Sequence, residues 1–180
     1  MERYQIINNL IKEKGYKSYL EIGVQNGICF SNIECESKTG VDPNANVEVD
    51  YKLTSDAFFM QNKLKFDCIF IDGLHTFEQS LKDFYNSWEC LNEGGAIVFH
   101  DTNPRNKEYA LSFNQGGKWC GDVYRTIIRL WSVGFEFHTY ADDNGVTIVT
   151  GVGAIKEPLK FTDTYEWFDK NRSEVLKFVK

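Results

Sequence analysis

The chain lacks the features that assign a protein most quickly. It has no run of lysine and arginine, and its formal net charge is -6 with a pI near 5.1. An acidic chain without a basic stripe is a poor match for a phosphate backbone or an anionic membrane surface. No stretch approaches the ~20 apolar residues of a membrane span. Met1-Glu2-Arg3-Tyr4 opens without the apolar core of a signal peptide. The five cysteines, at 29, 35, 68, 90 and 120, contain no CxxC pair. That argues against a metal cage or a disulfide framework and for reduced thiols in a cytoplasmic protein. There is also no internal repeat, low-complexity tract or linker, so the 180 residues are expected to form one domain, 1–180.

What is present is an alternation of helical and strand-like segments, the pattern of a layered α/β fold with a mostly parallel sheet. Ile6, Ile7, Leu10 and Ile11 make a helical stripe that stops at Gly15. Strands are expected at 18–24, 38–42 and, more briefly, 47–53, followed by a helix capped at Ser55-Asp56. Phe66 to Asp72 (FDCIFID) and Ala96 to His100 (AIVFH) read as buried parallel strands. Between them Phe77, Leu81, Phe84, Tyr85, Trp88 and Leu91 recur with helical period behind a Thr76/Gln79 capping box. Residues 102–121 read as a long polar surface loop that covers an acceptor, with Asp122 capping the next helix. Two further strands, 135–141 and 146–150, flank Asp142-Asp143-Asn144-Gly145, and Asn-Gly between strands signals a hairpin. A final amphipathic helix is expected over 163–180.

The chemistry gathers at the strand ends. Glu21-Ile22-Gly23-Val24-Gln25-Asn26-Gly27 runs from a strand into a helix, where glycines let backbone approach a ligand. A dinucleotide fingerprint needs glycine at 25 and 28, and these positions are Gln25 and Ile28. Asp42, at the end of the second strand, is suited to accept both hydroxyl protons of a ribose. Asp72 and Asp101 end neighbouring buried strands, and ligands of open α/β sheets bind at that edge. His75, three residues after Asp72, is placed to take a proton there.

The E-x-G-x-x-x-G turn resembles the first motif of class I S-adenosylmethionine-dependent methyltransferases. Asp72-Gly73-Leu74-His75, Gly94-Gly95, His100-Asp101 and Gly121-Asp122-Val123 narrow the likeness to small-molecule O-methyltransferases of the macrolide-sugar type. The resemblance implies a Rossmann-like, mostly parallel seven-stranded sheet with helices on both faces and a C-terminal antiparallel hairpin. It implies S-adenosylmethionine held by Glu21, Gly23, Gln25, Gly27, Asp42, Ser55 and Asp72, with a small hydroxylated molecule as acceptor. It further implies His75 as general base, and Asp72, Asp101 and His100 as ligands of a divalent cation such as Mg2+. Metal-dependent relatives carry an acidic pair at the end of the fifth strand. Here the pair is His100-Asp101, so one carboxylate is absent.

Two other classes share some of these residues. His75, His100 and a carboxylate have the composition of a two-histidine, one-carboxylate iron site of an oxygenase, or of a metal hydrolase. That leaves the glycine turn and Asp42 without a role. A binding module that keeps the cofactor and lacks the chemistry would account for the missing carboxylate. Oligomeric state is not readable from the sequence.

Overall fold

The computed structural model describes residues 1–114, 116, 118–153 and 162–179. Loop positions 115 and 117 and the end of the expected last helix at 180 lie outside the described residues.

The elements follow in the order α1 (Arg3–Lys14), β1 (Ser18–Ile22), α2 (Ile28–Asn32), β2 (Ser37–Val41), α3 (Ser55–Gln61), β3 (Phe66–Ile71), α4 (Phe77–Glu89), β4 (Leu91–Phe99), α5 (Tyr124–Ser132), β5 (Phe135–Tyr140), β6 (Val146–Val152) and α6 (Tyr165–Leu176). One sheet has the order β2-β1-β3-β4-β6-β5. The first four strands in that order are parallel neighbours, and β6 pairs antiparallel with both β4 and β5.

Seven strands were expected, and the described residues contain six. The difference lies at 47–53. That segment reaches the free edge of β2 but makes only one parallel bridge, Val41 to Tyr51. The Asp50 carboxylate takes the Gly40 N–H at 2.8 Å, where a further strand would have offered a carbonyl. Exposed Glu48 and exposed Lys52 flank this point, so the segment has little apolar surface to hold it along the edge.

Period-two alternation divides the core between the two faces of the sheet. Leu20, Ile22, Ile69, Ile71, Ile97 and Phe99 pack with Phe58, Phe84, Ile127 and Phe168, from α3, α4, α5 and α6. Tyr19, Cys68, Phe70, Ala96 and Val98 pack with Ile6, Ile7, Leu10, Cys29 and Ile33, from α1, α2 and the turn after α2. Both faces of the parallel strands are covered, which accounts for their near-continuous apolar sequences.

Two expected caps differ. Helix α3 is capped by Thr54, whose hydroxyl accepts the Ala57 N–H at 3.3 Å, one residue ahead of the expected Ser55. Asp122 does not cap α5 through its side chain, since the N-cap there is Val123. Its Oδ1 instead accepts the Phe77 N–H at 2.7 Å, at the start of α4. The expected Thr76 cap is present, with its hydroxyl accepting from Gln79 N at 3.4 Å. No described helix is long and apolar enough to cross a membrane.

Candidate active site

Each parallel strand delivers its functional residue just after its last paired position. Gly23 follows β1, Asp42 follows β2, Asp72 follows β3, and His100-Asp101 follow β4. All of them line one cavity of ≈ 800 Å³ at the carboxyl edge of the sheet, with Glu21, Gln25, Ser55 and His75. Gly27 stands behind that wall as the N-cap of α2, at φ 72°.

The glycine turn has the backbone it requires. Gly23 sits at φ +93°, and a Cβ there would lie 2.1 Å from the Asp72 carbonyl oxygen. Gln25 also adopts a left-handed conformation, φ 49°, a cost that glycine would avoid. Its N–H donates to Asp42 Oδ2 at 2.8 Å, and Asn44 N donates to Asp42 Oδ1 at 2.7 Å. Both oxygens are thus oriented by backbone, and each keeps acceptor capacity for a ligand hydroxyl. The Ser55 hydroxyl accepts from the Gln79 amide at 3.1 Å, which also reaches Asp56 Oδ1 at 3.1 Å.

At the base of the cavity two imidazoles stand between two carboxylates. His75 Nε2 is 3.2 Å from Asp72 Oδ1, and its Nδ1 is 3.2 Å from Asp101 Oδ2. His100 Nδ1 lies 3.1 Å from the same Asp72 oxygen and 3.3 Å from the same Asp101 oxygen. Burial opposes the charged form of His75, but Asp72 and Asp101 outweigh it and raise its pKa above the ordinary value. The same balance, with Asp143 added, raises His100 well above its ordinary value. Burial would raise Asp72, yet His100 and His75 together hold it below the usual carboxylate range. Trp119 lies against the His75 ring, tilted by 31° with centroids 5.1 Å apart, and its indole N–H donates to the Leu111 carbonyl at 2.6 Å.

The Gly121-Asp122 pair braces this histidine from behind. Asp122 N donates to the His75 carbonyl at 3.2 Å. Gly121, at φ +66°, approaches so closely that a Cβ would sit 1.7 Å from the same oxygen.

A divalent cation is the group that the sequence resemblance implies for these residues. Asp72, His75 and Asp101 bring one ligand atom each within 4.8 Å of one another. Asp101 Oδ1 and His75 Nδ1 are buried and make no hydrogen bond, so this donor set fits a cation. His100 is not one of these three; its Nδ1 lies 3.1 and 3.3 Å from the two carboxylates and its Nε2 3.3 Å from Asp143 Oδ1. Sequence reading missed Arg3 and Asp143. Asp143 reads only as a turn residue, and Arg3 only as part of the N-terminal stretch Met1-Glu2-Arg3-Tyr4.

Residues 31–102 match the family model described as a methyltransferase domain. No curated protein matches the sequence. Among solved structures, an O-methyltransferase from Bacillus cereus in complex with S-adenosylhomocysteine is 15% identical, with TM-score 0.56 over 82% of this chain and 80% of that one. The O-methyltransferase TomG from Streptomyces achromogenes, involved in tomaymycin synthesis and solved with S-adenosylmethionine, is 12% identical, with TM-score 0.56 over 84% and 80%. The N-methyltransferase NodS from Bradyrhizobium japonicum is 16% identical, with TM-score 0.53 over 84% and 95%. At such identities the likeness establishes the fold. The family match is confined to residues 31–102, and the solved structures share the α/β fold, two of them in complex with the methyl donor or its demethylated product.

Proposed function

We propose that this protein transfers the methyl group of S-adenosylmethionine to a hydroxyl of a small acceptor. The observation that carries the reading is the Asp72–His75 pair, 3.2 Å apart at the base of the cofactor-sized cavity. Methyl transfer from a sulfonium is an in-line displacement, and the attacking hydroxyl must lose its proton. In this reading Asp42 holds the ribose, and the Gly23 turn lets backbone lie against the cofactor. Asp72 accepts the His75 Nε2 proton, which fixes the ring and leaves Nδ1 to exchange a proton. Trp119 lies against the ring on the cavity wall.

A divalent cation held by Asp72, Asp101 and a nitrogen of His75 would take the place of the base, since a coordinated nitrogen cannot accept a proton, and would stabilise negative charge on the acceptor oxygen directly. This donor set has one histidine and two carboxylates. It therefore differs from the two-histidine, one-carboxylate site of an oxygenase, and the cavity with its ribose-facing Asp42 also favours methyl transfer.

The test is transfer of labelled methyl to a panel of hydroxylated small molecules, with cofactor affinity measured in parallel. His75→Ala should leave cofactor affinity nearly unchanged and lower turnover by roughly 10²–10⁴-fold, the usual worth of a positioned base. Full turnover in that variant would remove His75 from the chemistry.

A further inference from the structure

The wall of the cavity contains a permanent cation supplied from outside the strand-end motifs. Arg3, the first residue of α1, lines the cavity together with Asp72 and His100. Its backbone N and its Nη1 donate to Asp143 Oδ2 at 2.9 and 3.1 Å. Its Nε lies 3.5 Å from Asp72 Oδ2 and is buried without a hydrogen bond. Asp143 is held in the hairpin turn at φ 48°, a left-handed conformation unusual for a residue with a side chain. The turn thus places one Asp143 oxygen on Arg3 and the other 3.3 Å from His100 Nε2. The first helix and the last hairpin meet at the reaction centre through these two side chains, 140 positions apart.

A guanidinium keeps its charge at every working pH. Asp72 is also one of the three residues able to hold a divalent ion. A divalent ion held by Asp72 would therefore feel a fixed like charge in a partly buried site, where repulsion is little screened. We propose that Arg3, clamped by Asp143, is the pH-independent counter-cation of this centre, acting on Asp72 beside His100 and His75 and in competition with a divalent ion. The proposal rests on Asp72 belonging to the methyl-transfer site. It makes Arg3 a positioning residue whose charge reduces both the affinity and the need for a metal.

The test is a Mn2+ titration followed by electron paramagnetic resonance on the protein alone, without cofactor or acceptor. Wild type should bind Mn2+ only weakly, in the millimolar range. Arg3→Gln should bind it roughly tenfold tighter or more, because a like charge has been removed. Arg3→Lys should stay near wild type, since the charge is retained. The double variant Arg3→Gln/Asp72→Asn should lose the gain, which places the ion at Asp72. Equal affinity in wild type and Arg3→Gln would overturn the proposal, as would Arg3→Lys behaving like Arg3→Gln. Should Arg3→Gln fail to fold, wild type decides alone, since binding tighter than about 10 µM, a tight-sensor affinity for a hard cation, contradicts it. Cofactor binding is measured calorimetrically on the same samples. Its absence alongside the expected Mn2+ pattern would sink the methyltransferase reading and leave the Arg3 assignment standing.

Discussion

Glu21 is an ionisable group enclosed in the first strand, 1% exposed. Burial pushes its pKa up to about 7, against the opposing hydrogen bond from Tyr19, whose hydroxyl is 2.5 Å from Oε2; the nearby charge of Asp72 adds to the rise. A carboxyl whose pKa is raised in the folded state favours folding in its protonated form. Its full contribution is present below the unfolded value of 4.5 and is lost as pH rises through about 7. The shift corresponds to roughly 3 kcal/mol in order of magnitude. Glu21→Gln should therefore match wild type in denaturant unfolding at low pH and exceed it above neutrality. A constant difference across pH would contradict the assignment. His75 gives a second pH signature, in rate. A base acts only when neutral, and the carboxylates raise the His75 pKa above 6.5. Turnover should accordingly climb with pH above that value. A profile already flat at pH 6.5 would show that a different group, or no proton transfer, limits the rate.

At the scale of elements, the 102–121 loop and the start of α4 act as one support. Gly121 N-terminal to Asp122 allows the loop to touch the His75 carbonyl, and Asp122 then caps α4 through Phe77 N and pairs with Arg125 at 2.9 Å. Gly121→Ala places a methyl group within bonding distance of that oxygen at a positive φ, so the loop must move. The expected result is a turnover loss larger than the loss of stability, read by activity and thermal melting of the same samples. Wild-type activity would mean that the contact does not position His75. This support also shows what sequence could convey. The cap at Thr76 was legible because Thr and Gln occupy capping-box spacing. The role of Asp122 was not, because it caps a helix 45 positions away in the chain. The hairpin was legible from Asn-Gly, whereas its catalytic-edge residue Asp143 carried no signal beyond turn chemistry. The same loop, carrying Trp119 over His75, should be cleaved first in limited proteolysis and be protected by cofactor plus acceptor. Equal cleavage with and without ligands would count against its covering role.

For the molecule as a whole, apolar periodicity made the layered α/β architecture legible, and strand ends made Asp42, Asp72, His75, His100 and Asp101 legible. The expected strand at 47–53 was lost because a short β-like pattern does not reveal that Asp50 will replace a carbonyl partner. Arg3 escaped notice for a different reason, since its function exists only once α1 and the hairpin close on the same sheet edge. The central claim is that this edge binds S-adenosylmethionine, and the measurement closest to it is calorimetric titration of S-adenosylhomocysteine into wild type and Asp42→Ala, with NAD as control. Saturable one-site binding to wild type, weakened by a factor of roughly ten or more when the Asp42 carboxylate is removed, is the predicted result. Absence of heat and of thermal stabilisation with millimolar S-adenosylhomocysteine, or equal binding by Asp42→Ala, would contradict the account.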